Sequence, residues 1–359
     1  MKNLFIGIDF SKETFDVSFF GRETRQQVHH CSFENVRTGY IAMLRWIDSQ
    51  TDVSRQEWLF CGEHTGLYSI GLSDFLIGKG LEIWLENPNQ IKLSSGIKRE
   101  KSDPADSLAI AEYAMRFEDK CRLYEGKSKI YRSLKSLFNH RSRIVEIKKQ
   151  LLTAVREERR VMSRNTGCRF VYEHTMAIID RLSKEIKATE KMMKSLLEKS
   201  AEMKENYSLV TSVVGISFVN AMAIIIVTEN FTRFASAREF ACYSGTVPFH
   251  NDSGKIKDRC HISRIANIKI KVLLTEAAQC AMVYDAELRD YAERKLKQGK
   301  DKRLIINNIR NKLILRVFSV VRNKRPYIRE KSDENGLESM NVYILIEKCT
   351  TTPIEKCTT

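Results

Sequence analysis

Four carboxylates stand out for the chemistry they could share: Asp9, Glu63, Asp103 and Asp106. Asp9 interrupts the apolar run Leu4-Phe5-Ile6-Gly7-Ile8-Asp9-Phe10, and Glu63 ends a second one, Trp58-Leu59-Phe60-Cys61-Gly62-Glu63. Carboxylates at the edge of buried strands are costly unless something cationic neutralises them. Asp103 and Asp106 are spaced i, i+3, which puts them on one face of a helix. Their first-turn position also suits negative charge. Phosphodiester chemistry needs a neutralised phosphate, an activated nucleophile and a stabilised leaving oxygen. Two Mg²⁺ ions about 3.5–4 Å apart supply all three, and carboxylates are their natural ligands. Each acid also has a plainer reading. Glu63 could be a solvated strand end, Asp103 an N-cap before Pro104, and Asp106 an ordinary dipole-compensating residue. Asp16, Asp48 and Asp74 are read as surface acids.

The elements that must position these acids follow from hydrophobic periodicity. Residues 4–10, 15–20 and 28–34 read as strands and 36–48 as a helix. A strand at 57–62, a helix at 67–77, a strand at 81–85 and a helix from Pro104 to about Arg116 follow. This β-β-β-α-β-α-β-α order is that of an α/β ribonuclease H-like (RuvC-like) domain. In such a sheet the first strand lies beside the fourth, so Asp9 and Glu63 become neighbours. From about 128 to 205 glycine and proline almost vanish, Gly167 alone remaining. Apolar residues recur there at three- and four-residue spacing, which predicts two long amphipathic helices around a break near 163–169. They are either a helical spacer or a coiled-coil assembly arm. Residues 207–327 read as mostly α-helical. Beyond Pro326 the chain is polar and ends in a near duplication around Ile346-Glu347-Lys348-Cys349-Thr350-Thr351. Four segments are therefore expected, at 1–125, 126–206, 207–327 and 328–359.

The chain has 359 residues and a net charge of +15, so polyanions are the expected partners. The excess is concentrated between Arg294 and Lys331, where fourteen Lys or Arg face two acids, Asp301 and Glu330. Arg303, Arg310 and Arg316 lie in this tract, and charge runs without interspersed acids favour phosphate contacts over a merely solvated face. The nine cysteines form no CxxC pair, which argues against a zinc finger. They suit reduced thiols in a bacterial, nucleoid-associated cytoplasmic protein. No secretory segment is read at the N-terminus. The longest apolar run, Ala221 to Val227, is too short to cross a bilayer, so no membrane partner is expected.

Several motifs resemble those of one family. Gly7-Ile8-Asp9-Phe10-Ser11-Lys12, Glu63-His64-Thr65-Gly66-Leu67-Tyr68, Asn87-Pro88 and Lys101-Ser102-Asp103-Pro104-Ala105-Asp106-Ser107 resemble the DEDD transposases of the insertion-sequence 110 family. These are also described as bridge-RNA-guided recombinases. Gly215-Ile216, Phe234-Ala235-Ser236-Ala237, Ala241-Cys242-Tyr243-Ser244-Gly245, Pro248, Ser253-Gly254-Lys255 and Ile262-Ser263-Arg264 resemble its second domain. The similarity extends over roughly residues 4–325. It implies that Asp9, Glu63, Asp103 and Asp106 hold Mg²⁺, with Mn²⁺ as the alternative ion. It implies that Ser253 is a nucleophile forming a phosphoserine link to DNA. It further implies a homo-oligomer, dimer or tetramer, in which one subunit's metal site and another's serine form one composite site. A structured bridge RNA would select target and donor double-stranded DNA by pairing. Without the resemblance, Asn251-Asp252-Ser253-Gly254-Lys255 reads as a surface turn, in which Gly254 permits close backbone approach and Lys255 and Lys257 could neutralise a phosphate. Neither His250 nor His261 is assigned as a base.

Two departures from the family pattern concern DNA grip. The family's Pro-Gly-Ile-Gly is here Val214-Gly215-Ile216-Ser217, a turn of helix-hairpin-helix type whose N–H groups would meet phosphate. The family's Leu-Arg is here Ile270-Lys271, which keeps charge but loses the bidentate fork. A RuvC-like junction endonuclease using metal-activated water remains an alternative, as does a binder without catalysis.

Overall fold

A computed structural model describes residues 1–94, 102–161, 166–247 and 266–328 of the chain. It divides into two compact units, Met1–Lys127 and Ser128–Thr359.

The first unit is a five-stranded mixed sheet with helices. Strands β1 (Leu4–Phe10), β2 (Thr14–Gly21) and β3 (His29–Glu34) are followed by α1 (Arg37–Gln50). Then come β4 (Trp58–Glu63), α2 (Leu67–Gly78), β5 (Ile83–Glu86), α3 (Pro88–Ser94) and α4 (Asp103–Arg116). The strand order is β3-β2-β1-β4-β5. β1 pairs antiparallel with β2, β2 antiparallel with β3, and β1–β4 and β4–β5 are parallel. Parallel neighbours need crossover connections, which α1 and α2 provide. The expected element order is present, within two residues at each boundary. The seven-residue α3 was not anticipated; a segment opening on Pro88 offers too little periodicity to announce a helix.

Both faces of this sheet are packed. Leu4, Ile6, Ile8 and Phe10 join Phe15, Phe19, Trp58 and Phe60 in a core covered by Met43, Ile47, Leu72 and Leu76 of α1 and α2. Phe5, Phe20, Leu59, Cys61 and Trp84 face the other way, onto Ile110, Ala111 and Ala114 of α4. The period-two alternation of β1 and β4 sorts each residue to one of these two layers.

The second unit is helical. α5 (Lys129–Val161) and α6 (Thr166–Leu197) are the two long helices, 33 and 32 residues. They pack on each other, with Arg141 Nε donating to Glu190 at 2.7 Å. α7 (Ala201–Thr211), α8 (Phe218–Val227), α9 (Ala237–Tyr243), α10 (Ile268–Tyr284), α11 (Ala286–Lys297) and α12 (Lys302–Asn323) follow. The all-buried α8 meets Leu274, Ala278, Ile309 and Leu313 in one core. Sequence reading separated 126–206 from 207–327, but the structure joins them. Tyr131 and Leu134 of α5 and Met193 and Leu197 of α6 share a core with Met203, Met222 and Ile226, and the buried Tyr131 hydroxyl donates to the Ile226 carbonyl at 2.8 Å. No described helix is long and apolar enough to cross a membrane.

Candidate active site and nucleic-acid interface

The alternation that builds the two cores also aims the acids. Asp9 continues the β1 series Phe5, Gly7, and Glu63 continues the β4 series Leu59, Cys61, so both belong to the α4 layer. Ile8 pairs with Gly62 in the parallel register, which makes Asp9 and Glu63 the next row. Helix α4 lies very close over this row. A Cβ on Gly7 would collide with the Ser107 carbonyl and the Ala111 amide, so only glycine admits the helix at this depth. Ser18, the β2 partner of Gly7, is fully buried, and its hydroxyl is 2.8 Å from that of buried Ser107. The glycine and the serine pair thus seat the first turns of α4, and with them Asp106, against β1.

Electrostatics reports the result. Burial pushes the Glu63 carboxyl above the usual carboxylate range, and the negative charges of Asp9 and Asp106 push it further in the same direction. Three of the four expected acids therefore share one field. Asp103 is exposed at the start of α4 and does not contribute to that shift. No ion pair to Glu63 is formed among the described residues. Two residues along, the buried Thr65 hydroxyl oxygen lacks a hydrogen-bond partner. Repelling carboxylates and an orphaned oxygen fit a hard divalent cation such as Mg²⁺ or Mn²⁺. Among the described residues no three His, Cys, Asp or Glu side chains are gathered tightly enough to enclose an ion as they stand.

Two further acids lie in the same row. Asp16 pairs with Asp9 across β2–β1, and Glu86 pairs with Glu63 across β4–β5. Asp16 is not the surface acid read from the sequence: its side chain is 15% exposed and lies 3.1 Å from His30 Nε2. Glu86 accepts from the Tyr113 hydroxyl of α4 at 3.2 Å and from the Asn87 amide at 2.6 Å. Burial, and then Glu86, push the Tyr113 hydroxyl up to about 12. Only strand register reveals this row; apolar patterning along single strands does not.

In the second unit Ser253, Lys255 and Lys257 lie outside the described residues, as do His250 and His261. The flanks of that segment are described. Asn307 of α12 donates to the Thr246 carbonyl at 2.7 Å on one side. On the other, the Asn267 side chain donates to the Tyr243 hydroxyl at 2.9 Å, its backbone amide bonds the Tyr243 carbonyl, and it caps α10. Gly215 has φ +92°, and a Cβ there would strike Ala277 and Ala281 of α10. Close packing of the α7–α8 turn is thus a sufficient reason for this glycine.

The basic residues divide by what they touch. Arg316 is 13% exposed, donates to Asp285 at 2.7 Å, contacts Glu287 and lies over the Tyr327 ring. Its charge is matched inside the protein, contrary to the phosphate contact expected of it. Arg303 is exposed in the first turn of α12. Arg310 donates only to neutral oxygens, those of Thr275 at 2.7 Å and Asn307 at 3.3 Å, and burial pulls its basicity down. Lys271 is likewise weakened, by burial and then by Arg310.

Comparison with known proteins agrees with this division into units. Residues 6–157 match a model of DEDD-type IS110 transposases, described as transposase, and residues 207–293 match one described as Transposase IS116/IS110/IS902 family. The chain is 26% identical over 332 residues to the pilin gene-inverting protein of Moraxella lacunata, covering 91% of this chain and 98% of that one. The Moraxella bovis protein of the same name is equally similar. The transposase for insertion sequence element IS1111A of Coxiella burnetii is 24% identical over 230 residues, 57% of this chain and 61% of the relative. A DEDD domain of this type carries with it a dependence on divalent metal. With both models matched in order along one polypeptide, the chain belongs to the IS110 family of transposases, enzymes that rearrange DNA.

Proposed function

We propose that this transposase cuts and rejoins DNA through a covalent protein–DNA link, with Asp9, Glu63, Asp103 and Asp106 as metal ligands and Ser253 as nucleophile. The observation that carries the proposal is the adjacency of Asp9 and Glu63 beneath the N-terminal turns of α4, with Asp106 in the same electrostatic field. A bound divalent ion would neutralise the phosphate and stabilise charge on the departing oxygen. Serine is a weak nucleophile and must lose its proton as it attacks. The Ser253 Oγ bonds to phosphorus, the bond to the 3′ oxygen breaks, and a 3′-hydroxyl is released. A 3′-hydroxyl from another strand then reverses the step, which restores the serine and rejoins DNA without an external energy source.

Lys255, Lys257 and exposed Arg303 are assigned to the nucleic-acid backbone, and a structured bridge RNA to target and donor choice. The +15 net charge supports both assignments. The α5–α6 hairpin is assigned to assembly into a dimer or tetramer. Exposed Ile147, Phe170, Val171 and Ile178 support it, since apolar residues of this size on one hairpin mark an association surface. The decisive experiment compares two variants on a supercoiled donor with cognate RNA. Asp9→Asn should still bind DNA but neither cut nor join it. Ser253→Ala should form no protein–DNA adduct and no cut. Cutting by Ser253→Ala without adducts would show a water-using nuclease instead.

A further inference from the structure

Lys271 and Arg310 form a cationic couple that the fold leaves uncompensated. Arg310, on α12, reaches across to α10 and hydrogen-bonds the Thr275 hydroxyl. Thr275 stands one turn beyond Lys271, and its hydroxyl also donates to the Lys271 carbonyl at 2.7 Å. The guanidinium therefore sits against the α10 face that carries Lys271, close enough for the two charges to oppose each other. Neither residue forms an ion pair among the described residues. The neighbouring cations behave differently: Arg316, Lys312 and Lys324 all find carboxylates. The Arg310 Nε is buried with no acceptor at all. Two half-buried like charges held by neutral oxygens cost stability, and truncating both to neutral side chains would relieve it.

The couple also has a particular place. Asn307, one turn before Arg310, shares a hydrogen bond with it and holds the Thr246 carbonyl. Asn267, one turn before Lys271, binds Tyr243. The two flanks of the segment that carries Ser253 in sequence are thus fastened one helical turn from each cation. We propose that Lys271 and Arg310 form a subsite for one phosphate of the DNA strand on which Ser253 acts. This rests on the nucleophile assignment above only for its placement; the subsite itself is a claim about DNA binding.

The test uses the full-length protein and equilibrium binding to a random-sequence duplex DNA and a matched duplex RNA over a salt series. Lys271→Gln should weaken DNA binding about tenfold, as expected for one charge-assisted contact. It should also reduce the slope of log affinity against log salt by about 1, while Lys271→Arg keeps both. Its melting temperature should be no lower than that of the parent, because a repulsion has been removed. Unchanged DNA affinity and slope, a loss confined to RNA, or a loss accompanied by a lowered melting temperature would each overturn the subsite. Binding requires no chemistry, so this outcome reads independently of whether Ser253→Ala still cuts.

Discussion

At the scale of single residues, charge without compensation distinguishes functional positions from structural ones. Glu63 holds its proton more tightly in the folded chain than in the unfolded one, because burial and then Asp9 and Asp106 disfavour its ionised form. Such a group favours folding below the ordinary carboxylate range, and this contribution is lost as pH rises through its raised value. At neutral pH the ionised Glu63 therefore works against the fold. Glu63→Gln should raise the melting temperature at neutral pH in the absence of metal, with the difference closing on acidification; a lowered melting temperature at neutral pH would show that the carboxylate has a partner. Arg316 is the contrasting case. The sequence presents it within a tract with few acids, but Asp285 and Glu287 lie just upstream of that tract and close on it in space. Local charge counting cannot see partners from the preceding helix. Ser253 shows the opposite limit: as a residue in a polar turn it carries no distinguishing physical signal, and family motifs alone single it out.

Among elements, α4 decides whether the acids meet. Its seat depends on Gly7 and on the buried Ser18–Ser107 hydroxyl pair. Gly7→Ala should cost about 1–3 kcal/mol, as overpacking against backbone does, and should abolish DNA cutting by lifting Asp106 away from Asp9. Ser18→Ala should cost about 1 kcal/mol and reduce cutting only in part. Chemical denaturation paired with a cutting assay checks both; a Gly7→Ala protein of parental stability would mean that α4 tolerates displacement. The strands and their order were legible in the sequence because alternation in β1 and β4 is strict and both runs are bounded by turns. The long helices were legible because glycine and proline are missing from them. What was not legible came from register and from short elements. Asp16 and Glu86 enter the carboxylate row only through cross-strand pairing. Helix α11 was hidden because its last turn, Arg294, Lys295 and Lys297, merges with the basic tract beyond it.

For the molecule as a whole, the division after Lys127 is the main organising fact. Each side has its own apolar core: one built on Phe5, Ile6, Ile8 and Phe60, the other on Val210, Ile224, Leu274, Ile309 and Leu313. A fragment of residues 1–127 should fold cooperatively by itself and keep its tertiary circular dichroism; a non-cooperative melt would show that it depends on the remainder. The sequence placed this boundary within two residues, because the composition changes sharply from mixed strands and helices to an unbroken heptad-like run. It placed a second boundary near 206 that has no counterpart in the packing, since α5 and α6 share Tyr131, Leu134, Met193 and Leu197 with Met203, Met222 and Ile226. Hydrophobic periodicity gives the length of a helix but not the neighbour that its buried stripe will choose.

This separation makes the enzyme its own two-channel thermometer. Ligands stabilise only the part of a protein that holds them, in proportion to occupancy. Magnesium should thus delay melting of the sheet-bearing half, and a short oligonucleotide that of the helical half, so one calorimetric trace can tell which of the two has been filled first.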